Sequence, residues 1–307
     1  MPAKNNRSLN ISPSEIEKYK RNFKEINSKV SQKELVNCII NQDVFTVLEF
    51  FPEKFIDLIF IDPPYNMSKS FNGNKFRKKS VDEYTIWFDN LISKLIPLLK
   101  ETASVYVCSD WLSSTSIHLV LNKYLYVRNR ITWEREKGRG AKHNWKNSSE
   151  DIWFATVSDE YYFNVESVKL KKRVIAPYRE NGTPKGWKEI NEGKFRLTHP
   201  SNIWTDITVP FWSMPENTEH PTQKPEKLLA KIILSGSKEG ELVFDPFLGS
   251  GTSAVVAKKL SRNFLGIELD TKYAAIAEKR LDNIMDDMTI QGYDKGVFWE
   301  RNSINLR

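Results

Sequence analysis

The stretch Glu241–Ala254, ELVFDPFLGSGTSA, joins a short apolar run to an acid, a glycine-rich turn and the start of a helical pattern. Strand, Gly249-x-Gly251-x-x-Ala254, helix is the form of a nucleotide-binding turn. The first glycine permits the tight turn, the second lets backbone approach a ligand, and the small third residue lets helix pack on strand. The next strand, Phe264–Ile267, ends at Glu268. A carboxylate at that tip can accept hydrogen bonds from two ribose hydroxyls.

The glycines alone fit a nicotinamide dinucleotide equally well. Asp245 changes the balance, because a carboxylate at the strand tip repels a pyrophosphate and attracts an ammonium. S-adenosylmethionine offers an α-ammonium, a ribose, an adenine and no phosphate, so these residues favour it over NAD.

Working outward, Phe55–Ile61, FIDLIFI, is a near-continuous apolar run, as expected of a parallel strand covered on both faces. Asp62-Pro63-Pro64-Tyr65 must end it, since two prolines forbid a continued ladder. Further strands are expected at Val36–Ile40, Ser104–Cys108, Tyr126–Trp133 and Asp151–Val157, with the basic segment Glu134–Glu150 between the last two. Capping boxes at Ser12/Glu15 and Ser80/Glu83 open helices running to about Ser28 and Lys100. Others follow Pro225, start at the glycine turn and begin near Thr271. Ser167–Pro221 is long, polar and without clear period, and reads as an inserted lobe. The alternation predicts a doubly wound, mostly parallel α/β sheet. The domain reading is a helical extension over 1–30, a catalytic half over 31–133, a target-recognition region over 134–220 with core strands threaded through it, and a cofactor half over 221–307.

Asp62 sits at the carboxyl end of its strand, where open α/β sheets place ligands. An exocyclic amine on a nucleobase is a poor nucleophile, because its lone pair is delocalised into the ring. A carboxylate and a backbone carbonyl accepting from that NH2 group favour its pyramidal form and stabilise the charge developing on nitrogen. Asp62 supplies the first and Pro63 the second, Pro64 stiffens the turn, and Tyr65 can stack on an extruded base.

The net charge of +7 and pI of about 9.1 suit a polyanionic partner. Candidate DNA-backbone contacts are Lys69, Lys75, Arg77, Lys78 and Lys79 in the loop Asn66–Ser80, and Arg135, Lys137, Arg139 and Lys142 in the basic segment, with Trp145 and Trp187 nearby. Cys38 and Cys108 sit in apolar runs as expected of buried thiols, and no metal-ligand spacing occurs. No apolar run is long enough for a membrane span and the N-terminus has no signal-peptide core, so a cytoplasmic protein without membrane contact is expected.

With both motifs in view, the sequence resembles the β-class amino-methyltransferases of bacterial restriction–modification systems, which methylate adenine N6 or cytosine N4. The class places Asp-Pro-Pro-Tyr first, the target-recognition region second and the cofactor glycine loop last, the order found here across Leu35–Leu281. The resemblance implies a seven-stranded Rossmann-like sheet with one antiparallel strand, S-adenosylmethionine as cofactor and double-stranded DNA as substrate. It also allows a homodimer and a companion restriction endonuclease. It places Asp43 beside the cofactor adenine and Thr222 and Lys224, in His220-Pro-Thr-Gln-Lys-Pro225, at the methionine carboxylate. His220 itself is read as structural. Asp245, Phe247, Gly249, Gly251, Thr252 and Glu268 complete the cofactor set. Within the class, Asp rather than Ser at position 62 favours adenine. Cytosine N4, an RNA substrate, a non-catalytic nucleic-acid-binding module and a dinucleotide-dependent oxidoreductase remain as alternatives.

Overall fold

The computed structural model describes residues 6–300 except 68, 72, 73, 77, 140–142, 176, 191, 192, 285 and 286. The chain begins with α1 (Pro13–Tyr19), α2 (Gln32–Leu35), β1 (Cys38–Ile40), α3 (Val44–Val47) and β2 (Ile56–Ile61). A hairpin of β3 (Lys69–Phe71) and β4 (Asn74–Phe76) precedes α4 (Val81–Leu95), β5 (Leu99–Ser109) and α5 (Ser114–Tyr124). The long strands β6 (Tyr126–Arg139) and β7 (Asn147–Thr156) lead into short ones: β8 (Leu170–Arg173), β9 (Arg179–Glu180), β10 (Thr183–Pro184), β11 (Lys188–Ile190), β12 (Gly193–Thr198) and β13 (Ile203–Trp204). The chain continues with α6 (Glu226–Gly236), β14 (Leu242–Asp245), α7 (Thr252–Lys259), β15 (Asn263–Ile267), α8 (Thr271–Asn283), β16 (Tyr293–Asp294) and β17 (Val297–Trp299).

The main sheet has eight strands in the order β1-β15-β14-β2-β5-β7-β6-β13. This corrects the expected seven, because the two-residue β13 of the inserted region pairs in parallel with β6 at Thr132 and Trp133. Only β7 runs against its neighbours. Strand β2 shows why FIDLIFI is apolar throughout. Leu58 and Phe60 pack under α6 and α7, Ile59 and Ile61 pack under α4 and α5, and all four are at most 2% exposed. Each such side chain stabilises the fold by about 1.5–3 kcal/mol on burial.

Four other expectations change. Helix α1 stops at Tyr19, since Phe23 is extended and the Lys24 N–H donates to the Ile39 carbonyl, tying the chain to β1. Helix α5, whose apolar stripe is weak, was not anticipated. The segment 134–150 is largely ladder, not loop: Trp133 pairs with Glu150 and Glu134 with Ser149. The polar stretch after Ser167 builds a second sheet, β11-β12-β8-β17-β16, completed by strands from beyond α8. Those strands alternate polar and apolar residues too briefly to read as strands one at a time.

The glycine turn is built as expected, but for a different reason at its second glycine. Gly251 has φ of +82°, and a Cβ there would lie 2.5 Å from the Ala277 Cβ on α8. Gly251 therefore admits a neighbouring helix. Gly251→Ala should cost at least about 2 kcal/mol, from left-handed strain and overpacking together. A urea midpoint equal to wild type would contradict this packing.

Candidate functional site

The strand order sets four acids along one edge. β1, β15, β14 and β2 are adjacent and parallel, and their carboxyl ends lead to Asp43, Glu268, Asp245 and Asp62. All four line one cavity of about 670 Å³, within the range of roughly 300–1,000 Å³ usual for small-molecule sites. Pro63, Pro64, Tyr65, Thr222, Lys224, Phe247, Gly249 and Thr252 line it as well, and Gly251 does not. Phe45, Trp87 and Phe247 give it an aromatic wall, with Trp87 6.2 Å from Phe45 and 6.4 Å from Phe247 between ring centroids.

At the cofactor end, Asp245 accepts from the Phe247 N–H at 2.9 Å and from the Ser253 hydroxyl at 2.5 Å. Glu268 accepts from the N–H groups of Gly249 at 2.7 Å and Asp270 at 2.8 Å. Burial pushes both carboxyls up to about 7 despite these donors. Asp43 caps α3, accepting from the Phe45 N–H at 2.8 Å, and still faces the cavity. Thr252 accepts from Arg280 at 3.0 Å. His220 packs edge-on to Tyr273, with centroids 4.4 Å apart, and its Nδ1 accepts from the Thr222 N–H at 3.4 Å, so it orders the loop carrying Thr222.

At the other end lies a buried charge cluster. The Lys224 ammonium is 2.7 Å from Asp62 Oδ2, 3.3 Å from Glu150 Oε2 and 3.2 Å from the Tyr65 hydroxyl. Tyr65 donates toward Asp62 Oδ1 at 3.1 Å and Glu150 Oε2 at 3.0 Å, and Arg135 pairs with Glu150 Oε1 at 2.5 Å. Burial alone would depress the Lys224 ammonium, but the Asp62 and Glu150 carboxylates outweigh it and hold it above its ordinary value. Burial raises Asp62, opposed by Lys224.

Two residues expected in other roles find their partners in this cluster. Lys224, expected at the methionine carboxylate, turns to Asp62 and Glu150, where the buried negative charge is. Arg135, expected on DNA phosphate, lines the cavity beside Glu150. Glu150, only 6% exposed, was missed altogether. Its signal was an acid just before an apolar strand: β7 is antiparallel, so its first residues reach the edge at which the parallel strands end. Among the other basic candidates, Lys78 and Lys79 are exposed. Arg77 and Lys142, and the side chains of Lys69, Lys75, Lys137 and Arg139, lie outside the described residues. Among the described residues no cluster suits a metal ion, and no helix is long and apolar enough to cross a membrane.

A family profile described as DNA methylase, N6_N4_Mtase, matches residues 56–279. The chain belongs to this family. Transfer of a methyl group from S-adenosylmethionine to DNA comes with that membership. DNA adenine methyltransferase YhdJ of Escherichia coli (strain K12) is 34% identical over 252 residues, covering 80% of this chain and 82% of the relative. Type II methyltransferase M.BglII of Bacillus subtilis is 29% identical over 265 residues, covering 83% and 71%. Among solved structures, the M1.HpyAVI–SAM complex has a TM-score of 0.54 at 22% identity, covering 80% of this chain and 98% of that one. The PvuII cytosine-N4-specific DNA methyltransferase has a TM-score of 0.59 at 19% identity, covering 86% and 93%. Both share the fold.

The raised carboxyls have a consequence for stability. A group whose folded pKa lies above its unfolded value favours folding below the unfolded pKa, and that stability is lost as pH rises through the folded one. For Asp245 the window runs from its ordinary 3.8 to about 7. The cofactor-free methyltransferase should lose stability between about pH 4 and 7, by an amount on the order of a few kcal/mol at most for this group. Thermal melts across that range should show a shallower decline for Asp245→Asn. Identical slopes would contradict the assignment.

Proposed function

We propose that the chain is a site-specific DNA methyltransferase acting on adenine N6. The observation that carries this is Asp62-Pro63-Pro64-Tyr65 at the tip of β2, beside the acid-lined half of the same cavity. The likeness to an enzyme described as a DNA adenine methyltransferase supports adenine. Cytosine N4 is the second reading, because the same carboxylate and carbonyl suit either amine.

In this reading the cofactor lies along the row of acids. Asp245 takes the α-ammonium, Glu268 the ribose hydroxyls, Asp43 the adenine edge and Phe247 its face, while Thr222 meets the methionine carboxylate. Each carboxylate oxygen of Asp245 and Glu268 already accepts one internal donor and has a second lone-pair direction to offer. The target base leaves the duplex stack to reach Asp62, since its amine is inaccessible inside it. Asp62 and the Pro63 carbonyl accept from the amine as charge develops on nitrogen. Double-stranded DNA is held through backbone contacts by Lys69, Lys75, Arg77, Lys78, Lys79, Lys137, Arg139 and Lys142. A homodimer and a companion endonuclease are compatible with this role, and a cytoplasmic location is its natural setting.

The test is nucleoside analysis of duplex DNA after incubation with isotopically labelled S-adenosylmethionine. Label in N6-methyladenine is expected. Label in N4-methylcytosine would replace the first reading by the second, and label in neither would overturn both.

A further inference from the structure

Glu150 is buried beside the reacting end of the cavity, yet the reaction as described gives it no part. Its two oxygens are divided: Oε1 pairs with Arg135, and Oε2 meets both the Tyr65 hydroxyl and the Lys224 ammonium. The immediate cluster holds two carboxylates, Asp62 and Glu150, and two cations, Lys224 and Arg135. Among the described residues, Cys108 on β5, Asp245 at the end of β14 and Tyr84 on α4, whose hydroxyl donates to the Pro64 carbonyl, are further titratable groups nearby.

In this arrangement each Asp62 oxygen already accepts one donor. Lys224 lies on Oδ2 and Tyr65 on Oδ1. A target amine that gains positive charge at Oδ2 is repelled by an ammonium 2.7 Å from the same oxygen, so the reaction is favoured when the ammonium moves away. An ammonium as buried as this one, 7% exposed, cannot be left without a counter-charge. Glu150 Oε2 is 3.3 Å away and already within ion-pair range, so the ammonium can transfer its weight there with little movement.

We propose that Glu150 is a positioning residue that takes over the Lys224 ammonium and holds the Tyr65 hydroxyl when the target amine occupies Asp62. The proposal rests on the reading of Asp62 as the acceptor of the base amine, and holds for adenine or cytosine alike. Arg135 keeps Glu150 in place from the other oxygen. No covalent step passes through Glu150.

Glu150→Gln keeps the shape and an accepting oxygen but removes the charge. Lys224 should then stay on Asp62 and compete with the amine. Single-turnover transfer is expected to slow by at least about tenfold, the scale of one charge-assisted contact, with cofactor binding retained. The Glu150 charge also favours protonation of Asp62, so its removal should move the acid limb of the rate profile to lower pH. A residue that merely braced β7 against β2 would not move that limb. Glu150→Asp, which keeps the charge but draws it back, should give an intermediate rate and an acid limb near wild type. A wild-type rate with an unmoved acid limb in Glu150→Gln overturns the proposal. If that variant fails to bind cofactor, a wild-type rate in Glu150→Asp overturns it equally. Wild-type protein is the control for the underlying reading: no transfer to any base amine removes that reading and the proposal with it, whereas normal wild-type transfer with an unaffected Glu150→Gln removes the proposal alone.

Discussion

The Lys224 ammonium, held among Asp62, Glu150 and Tyr65, ties three separate parts of the chain to one point. Asp62 and Tyr65 follow β2, Glu150 lies in the first half of β7, and Lys224 precedes α6. Helix α6 is itself fixed by ion pairs on opposite sides. Lys227 and Lys231 reach Asp206 of the inserted region at 2.9 and 2.7 Å, and Glu226 reaches Lys259 of α7 and Arg280 of α8 at 2.8 and 2.9 Å. Buried pairs of this kind add little net stability, but losing one partner costs about 3–5 kcal/mol, because the other charge is left uncompensated. They fix position more than they stabilise, and what they position is the wall of the cavity at Asp62.

The parallel sheet supplies the other part of that wall. Adjacent parallel strands about 4.8 Å apart end on the same side, so acids at the tips of β1, β15, β14 and β2 form a row although they are far apart in sequence. The antiparallel β7 contributes from its first residues what the others contribute from their last. The result is a cavity with one acidic half suited to a zwitterionic nucleoside and one charge-neutral cluster suited to an amine that acquires positive charge.

Much of this was legible in the sequence. FIDLIFI followed by Asp-Pro-Pro-Tyr, and ELVFD followed by the glycine turn, each state a strand, its end and its chemistry within a dozen residues. The capping boxes at Ser12 and Ser80 were legible for the same reason, being local. What was hidden depends on long-range pairing. The two residues of β13 are a strand only because β6 lies beside them. The second sheet needs β17, from the far end of the chain, next to β8. Gly251 looked like a ligand approach because Ala277 cannot be foreseen as its neighbour. Glu150 and Arg135 looked like part of a basic loop because nothing local says that β6 and β7 continue past Trp133. Lys224 stood out in the sequence, but its partners did not, since the direction of a buried ammonium depends on where the remaining buried charge lies.

In the proposed reading one cavity holds cofactor and base amine through separate residues, with Asp62 serving the amine alone. Asp62→Ala tests it most directly, with single-turnover methyl transfer and S-adenosylmethionine titration run on the same preparation. Transfer should be lost while cofactor binding is largely retained. Substantial residual transfer would contradict the account.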